Sequence, residues 1–170
     1  MFVLGIDPGL SRCGYGLVQR SGSRLTATAG GIVTTDAAQP LPERLHALFT
    51  ELRTLVTEMR PDAVVVERVF FQTNVRTAMA TGQAGGLALV AAAEAGCEVA
   101  QYTSNEVKQA VVGFGSASKE QVQNMVAAVL DLPERPSPPD VADALALAVC
   151  HLTSQPLRRA IAAASAGGHP

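Results

Sequence analysis

Residues 2–9 read FVLGIDPG, an apolar run that ends at Asp7 and a Pro-Gly turn. This pattern predicts a buried strand that stops at an acidic side chain. A second strand-like run, residues 13–19, follows after a link too short for a crossover helix, so we expect the two strands to be antiparallel. A third run, residues 25–35, is rich in Thr, Ile and Val and completes a meander, with a bulge or bend expected at Gly30-Gly31.

The pattern then changes to alternating helices and strands. Apolar residues recur at helical spacing over residues 41–60, and a short β-branched run, residues 63–66 (AVVV), ends at Glu67. An Ala- and Gly-rich helix over residues 74–95 leads to a fifth strand over residues 98–102. Because this alternation is typical of parallel crossovers, the sequence predicts an α/β fold in which a meander is followed by parallel strands.

The remainder of the chain is predicted to be mainly helical. Helices are expected over residues 104–112, over 119–131 with a capping box of Ser118 and Gln121, and over 140–154 after a proline-rich loop. We assign residues 1–154 to a single domain. Residues 155–170 are biased toward small side chains, so we expect them to form a disordered tail.

Composition limits the class of protein. A chain of 170 residues that is 48% apolar can bury one core, and its three widely spaced cysteines are expected to be reduced core residues. The first residues carry no secretion signal, and the nearly uncharged stretch over 77–93 is too short and too glycine-rich for a membrane span. We therefore expect a soluble cytoplasmic protein. The net charge of −2 argues against nucleic-acid binding.

Four carboxylates stand in apolar surroundings and are the most informative residues of the chain. Asp7 and Glu67 each end a strand, while Asp140 and Asp143 lie three apart in the opening turn of a helix. If the strands are neighbours, all four acids face one cavity at the carboxyl ends of the strands. Their mutual repulsion calls for a cation, and oxygen ligands suit Mg²⁺ or Mn²⁺. Two such ions support phosphodiester hydrolysis, so we expect metal-assisted cleavage of nucleic acid.

Each acid also has a structural interpretation. Asp7 is suited to start the turn at Pro8-Gly9, and Glu67 is close enough in sequence to pair with Arg68 or Arg76. Asp140 is suited to cap its helix, with Asp143 as a capping-box acid. The combination of two strand-end acids with an Asp-x-x-Asp helix after a meander is what favours the catalytic interpretation.

The sequence resembles the RuvC family of Holliday-junction resolvases, a branch of the ribonuclease H-like nucleases. The matching segments occur in the family's order and cover about residues 3–152; they are GIDPG (5–9), ERVF (67–70), GQA (82–84), VKQAVVG (107–113), GSASK (115–119) and ADALA (142–146). The resemblance implies a ribonuclease H-like α/β fold, in which a five-stranded mixed sheet is flanked by helices. It also implies a homodimeric endodeoxyribonuclease that cuts two strands of a four-way DNA junction symmetrically, in concert with the RuvA and RuvB branch-migration proteins.

By position, the resemblance assigns metal binding and catalysis to the four acids Asp7, Glu67, Asp140 and Asp143, with two Mg²⁺ ions, or Mn²⁺, per site. The candidate DNA contacts are Phe70, Phe71, Arg68, Arg76, Lys108 and Lys119. Lys108 and Lys119 are the only lysines in the chain, and both fall between the fifth strand and the last helix. Solvated surface lysines are the alternative for both, and Phe70 as a core residue, with Phe71 exposed, is the alternative for the aromatic pair.

The chain departs from the family pattern at Arg68, where a neutral polar residue is frequent, and at Gly85-Gly86, where a basic stretch is frequent. The acidic balance is a third departure. Two bound divalent cations add +4 to the net charge of −2 and bring it to +2, so we expect metal loading to favour DNA binding.

Three other functions compete with junction cleavage. A phosphotransferase of the actin and sugar-kinase type also opens with a strand, an Asp and glycines, but the chain is too short to duplicate that fold and has no Walker-type loop. A related ribonuclease H-like enzyme that acts on structured RNA is a closer rival. A non-catalytic junction-binding module is disfavoured because all four acids are present.

Overall fold

The computed structural model describes residues 1–68 and 75–166, with side chains through residue 154. The elements in this part of the chain are β1 (Phe2–Asp7), β2 (Arg12–Ser21), β3 (Arg24–Thr34), α1 (Leu41–Met59), β4 (Ala63–Glu67), α2 (Val75–Glu94), β5 (Glu98–Tyr102), α3 (Ser104–Val112), α4 (Lys119–Val129) and α5 (Pro139–Ala166).

The strands form one five-stranded sheet in the order β3-β2-β1-β4-β5. β1 pairs antiparallel with β2 and β2 with β3, whereas β4 lies parallel to both β1 and β5. The predicted meander and parallel crossovers are therefore confirmed. Ile6 pairs with Val66, so Asp7 and Glu67 follow at the same edge of two neighbouring strands.

The predicted irregularity at Gly30-Gly31 is wrong, because the register of β2 and β3 shifts at Thr28 instead. Leu17 pairs with Ala29 and Val18 with Ala27, which leaves Thr28 as the extra residue. The Thr28 hydroxyl donates to the Leu17 carbonyl at 3.3 Å. The two glycines remain in register, and they make room for close contacts. A side-chain carbon at Gly31 would lie 2.6 Å from the Tyr15 hydroxyl, and one at Gly30 2.9 Å from Val141.

Helices cover both faces of the sheet. Val3 and Val65 pack in one apolar cluster with side chains of α3, α4 and α5, among them Val107 and Val122. Val64, Val66, Leu4 and Ile6 pack in a second cluster with α1 and α2. β4 contributes alternate residues to the two clusters, which explains why its sequence is an uninterrupted apolar run.

Helix α5 lies directly against β1 and β2 because glycines face it. A side-chain carbon at Gly16 would approach Leu145 to 2.7 Å, and one at Gly14 would approach the Asp140 Cβ to 3.0 Å. Gly14 pairs with Asp7 across β1 and β2. The first turn of α5 is thereby brought beside the carboxyl end of β1.

The final helix extends past its predicted end at residue 154 and continues to Ala166. Pro156 has no N–H, so the Leu152 carbonyl loses its usual helix partner. The Arg20 guanidinium donates to that carbonyl at 2.8 Å and replaces the missing bond. The alanine-rich sequence beyond Pro156 favours helix. The division into residues 1–154 and a tail over 155–170 stays a prediction.

The cysteines and the described histidines have packing or surface positions. Cys13 and Cys150 are buried, Cys97 is half-buried, and all three are free thiols, as predicted. His46 is exposed on α1, while His151 is buried with its Nδ1 3.1 Å from the Tyr102 hydroxyl. His169 lies outside the described residues. None of the helices in the described ranges is both long enough and apolar enough to cross a membrane.

Candidate active site

A cavity of about 380 Å³ opens at the carboxyl ends of β1 and β4. Its lining contains three of the four predicted acids and both lysines, and consists of Asp7, Glu67, Ser104, Val107, Lys108, Lys119, Val122, Asp143, Ala146 and Leu147. β1 and β4 supply the two strand-end acids and α5 supplies Asp143. Helix α3 supplies Ser104 and Lys108, and α4 begins with Lys119. Five elements therefore converge on one acidic cavity with basic residues in its wall.

Asp143 and Lys119 form an ion pair inside this cavity. The Lys119 Nζ lies 2.6 Å from the Asp143 Oδ2, and the hydrogen bond raises the pKa of the lysine. Lys119 is the first residue of α4, and its position is set by the predicted capping box, in which Ser118 and Gln121 exchange hydrogen bonds. The capping prediction is confirmed.

Asp140 lies beside the cavity and does not line it. Its Oδ2 accepts a hydrogen bond from the Arg12 Nη2 at 2.9 Å, which also makes an ion pair. The expectation that four acids face one cavity therefore holds for three of them. The N-cap interpretation of Asp140 is wrong, since α5 begins at Pro139 and Asp140 lies within its first turn.

Burial and mutual repulsion make the strand-end carboxylates costly to ionise. Burial first, and then the neighbouring carboxylates of Asp143, Glu67 and Asp140, raise the pKa of Asp7 from 3.8 to about 7, with Lys119 lowering it in opposition. Burial is also the main cause of the raised pKa of Glu67, followed by repulsion from Asp143. A divalent cation among these groups would favour their ionised forms.

The donor set fits a hard divalent cation, because its members are all carboxylates. Within the part of the chain that the structure describes, no three Asp, Glu, His or Cys side chains already stand at chelating distance from one another. Arg12 engages Asp140 and Lys119 engages Asp143. A cation at this site would therefore compete with these two basic residues for the α5 carboxylates.

The other predicted DNA contacts are only partly described. Arg68 is exposed after β4, with its backbone N–H bonded to the Tyr102 carbonyl at 2.8 Å, and Arg76 is exposed in the first turn of α2. Neither arginine pairs with Glu67 among the ion pairs of the described residues, so the pairing interpretation of Glu67 is not supported. Phe70 and Phe71 lie outside the described residues, and their DNA contacts stay predictions.

Sequence reasoning missed Arg12, which contacts one of the four acids. The available signal was strand alternation, which puts Arg12 on the same face as Gly14 and Gly16. Two glycines on one strand face indicate close approach by another element, so the charged residue next to them was a candidate partner for it.

Comparison with known proteins gives a consistent result. Residues 3–151 match the family model for the crossover junction endodeoxyribonuclease RuvC. A protein of that name from Pelobacter propionicus is 52% identical over 164 residues, covering 96% of this chain and 93% of its own. One from Parafrankia sp. is 49% identical over 171 residues, covering 100% of this chain and 96% of its own.

Solved structures agree with the sequence relatives. The Thermus thermophilus RuvC structure has a TM-score of 0.85 and 39% identity, covering 92% of this chain and 96% of its own. The same protein in complex with a Holliday junction substrate has a TM-score of 0.84 and 37% identity over the same shares. The yeast mitochondrial Holliday junction resolvase Ydc2, at 14% identity and a TM-score of 0.67, shares the fold. This chain belongs to the RuvC family of crossover junction endodeoxyribonucleases.

Proposed function

We propose that this protein is a metal-dependent endodeoxyribonuclease that resolves four-way DNA junctions during recombination and repair. The observation that carries the proposal is the convergence of Asp7, Glu67 and Asp143 with Lys108 and Lys119 in one cavity. The T. thermophilus relative has been captured with a Holliday junction substrate. An acidic centre within a basic wall suits a phosphodiester, because the acids hold cations and the lysines attract phosphate.

Each residue of the site has a separate task in this proposal. Asp7 and Glu67 hold divalent cations from the strand ends, and Asp140 and Asp143 hold them from α5. Two bound Mg²⁺ or Mn²⁺ ions would supply activation of the attacking water and stabilisation of the leaving oxygen. Lys108 and Lys119 orient the phosphate, because both already line the cavity. Val107, Val122 and Leu147 form the apolar part of the cavity wall.

The substrate and the metal are tested in one set of assays. We expect cleavage of a four-way DNA junction with Mg²⁺ or Mn²⁺, no cleavage with a chelator, and little cleavage of linear duplex. Preferential cutting of structured RNA would assign the chain to the rival ribonuclease activity. Adding RuvA and RuvB to the junction tests whether branch-migration proteins stimulate cleavage, as the family resemblance implies. We place the enzyme in the cytoplasm, with the chromosome.

We further propose that the active form is a homodimer, since a two-fold symmetric junction requires two equivalent active sites. The candidate interface is the outer face of α2, where Val75, Met79 and Val90 are 68%, 62% and 49% exposed. Side-chain carbons at Gly82 and Gly86 of the same helix would meet nothing within 4 Å, so a second backbone can approach closely there. Exposed apolar residues at helical spacing suit a self-complementary contact.

The dimer proposal is tested by sedimentation of two matched variants. Met79→Glu introduces a charge on α2 and is expected to give monomers with less paired cutting of junctions. Met125→Glu makes the same change on α4, where Met125 is 37% exposed, and is expected to leave the dimer intact. A wild-type protein that cuts junctions as a monomer would contradict the proposal.

Phe70 is proposed to stack on an unpaired base at the junction centre. Such stacking contributes roughly 1–3 kcal/mol, which is enough to hold bases apart that would otherwise pair again. We expect Phe70→Ala to slow cutting of a fully paired junction and to slow it much less when the junction centre carries unpaired bases. Equal losses on both substrates, or a large drop in melting temperature, would instead make Phe70 a core residue.

A further inference from the structure

Among the ion pairs of the described residues, Arg12 contacts one of the four acids, Asp140. Arg12 is the first residue of β2 and pairs with Thr34 of β3. Strand alternation puts its side chain on the same face as Gly14, which lies beneath the first turn of α5. Its guanidinium Nη2 is 2.9 Å from the Asp140 Oδ2, with the two side chains 49% and 28% exposed.

The backbone around Arg12 is held in place from two sides. The Arg44 guanidinium of α1 donates to the Ser11 hydroxyl at 2.7 Å and to the Thr35 hydroxyl at 3.0 Å. The Thr35 hydroxyl in turn donates to the Leu10 carbonyl at 2.6 Å. These hydrogen bonds join the turn after Asp7 to β3 and α1. The Arg12 side chain therefore extends from a fixed backbone position close to Asp140.

Asp140 pairs with Arg12 and lies beside the cavity that the other three acids line. Asp7, Glu67 and Asp143 line the cavity, and Asp140 does not. A cation that used Asp140 as a ligand would compete with Arg12 for the same carboxylate. Lys119 has the corresponding relation to Asp143, but it lines the cavity and remains beside the substrate position.

We propose that Arg12 is a positioning residue that holds the Asp140 carboxylate beside the cavity and sets the cation concentration at which Asp140 joins the metal site. The inference rests on the proposed function insofar as the acids bind divalent cations. If Arg12 had a purely structural role and only stabilised the packing of α5 on β2, its removal would leave metal affinity unchanged or weaken it.

The test is a calorimetric titration of Mn²⁺ into full-length wild-type protein and Arg12→Ala, with no DNA present. Removing the competing guanidinium is expected to tighten Mn²⁺ binding about 2- to 5-fold, which is the range for a partly exposed ion pair. Arg12→Lys keeps the charge and is expected to bind Mn²⁺ nearly as the wild type does. Arg24→Ala is the matched control, since Arg24 pairs with Asp131 at 3.8 Å on an exposed surface.

The same titrations in an Asp140→Asn background complete a double-mutant cycle. The effect of Arg12→Ala should disappear there, because the carboxylate over which the two cations compete is gone. Unchanged or weaker Mn²⁺ binding by a folded Arg12→Ala protein would overturn the proposal, and so would equal tightening in both backgrounds. Arg12→Gln replaces Arg12→Ala if the alanine variant does not fold. A wild-type protein that binds no Mn²⁺ would instead overturn the metal site of the proposed function.

Discussion

The strand-end acids and the helix acids are held in different ways. Asp7 and Glu67 follow buried strands, and burial is the main cause of the raised pKa of each. Asp140 and Asp143 are each 28% exposed in their side chains, and each has a basic partner at hydrogen-bond distance. The positions of the first pair follow from sheet register, whereas those of the second depend on how α5 packs and on which cation engages them.

This difference assigns different tasks to the two pairs. The strand-end carboxylates destabilise the protein when ionised, and a divalent cation offsets that cost. The helix carboxylates already pair with Arg12 and Lys119, so a divalent cation that replaces these partners stabilises the carboxylates less. We therefore expect the strand-end acids to contribute more to metal affinity than the helix acids, while cutting requires both pairs.

Loss of a strand-end carboxylate should have the largest effect. Glu67→Gln keeps the side-chain shape but removes a charged ligand, so cutting should fall by more than about 100-fold. This loss would exceed the usual effect of mutating a residue that only hydrogen-bonds to a metal ligand. Junction binding should persist or tighten because repulsion of phosphate is reduced. Binding that disappears together with cutting, in a gel-shift and cleavage assay, would favour a structural role for Glu67.

The helix acid provides the matched comparison. Asp143→Asn should also stop cutting if Asp143 is a ligand. A stability loss of about 1 kcal/mol with normal cleavage would indicate that Asp143 only stabilises the start of its helix.

The protonation of Asp7 also affects the free energy of unfolding of the metal-free protein. Since the folded state raises the pKa of Asp7 from 3.8 to about 7, it binds the proton more tightly than the unfolded chain. This contribution to stability is complete below about pH 4 and is lost as the pH rises to about 7. Asp7→Asn mimics the protonated form, so it should stabilise the metal-free protein at pH 8 by at most about 4 kcal/mol and change little at pH 4. Equal denaturation midpoints at pH 8 would contradict the burial argument.

The close approach of α5 to Gly14 of β2 brings the helix acids to the site. Gly14→Ala would push its new carbon against Asp140, so it should cost about 1–3 kcal/mol of stability and slow cleavage by shifting α5. Asn124→Ala is the control in thermal unfolding, because Asn124 is exposed on α4 and alanine favours helix. A Gly14→Ala protein as stable and active as the wild type would show that α5 does not need this close approach.

The smallest effects should come from the lysines. Lys108→Ala and Lys119→Ala should each weaken junction binding and reduce the salt dependence by about one phosphate contact. Arg135→Ala is the control, since Arg135 pairs with Glu120 and does not line the cavity. Unchanged salt slopes with normal turnover would make both lysines ordinary surface residues.

Sequence alone predicted the features that depend on local pattern. The apolar run before Asp7, the β-branched run before Glu67 and the capping box before Lys119 each correspond to the observed element. The sequence left open whether β1 and β4 are neighbours, and their parallel pairing in the structure brings the two strand-end acids together.

Features that depend on contacts between distant segments were not predicted. The extra residue Thr28 was missed because Gly30-Gly31 looked like the irregular point, whereas those glycines make room for Tyr15 and Val141. In α5, the Leu152 carbonyl, which lacks a helix donor because residue 156 is proline, accepts a hydrogen bond from Arg20, far away in sequence. Asp140 likewise pairs with Arg12, which is 128 positions away in sequence, and lies beside the cavity.

Single-turnover cleavage of a four-way DNA junction by the wild type and Asp7→Asn, across a Mg²⁺ titration, tests metal-dependent cutting at the strand-end acids most directly. We expect the wild type to cut only with the divalent cation, and Asp7→Asn to bind the junction without cutting it at any Mg²⁺ concentration. Cutting by Asp7→Asn at the wild-type rate, or cutting by the wild type with a chelator present, would contradict a metal-binding role for Asp7.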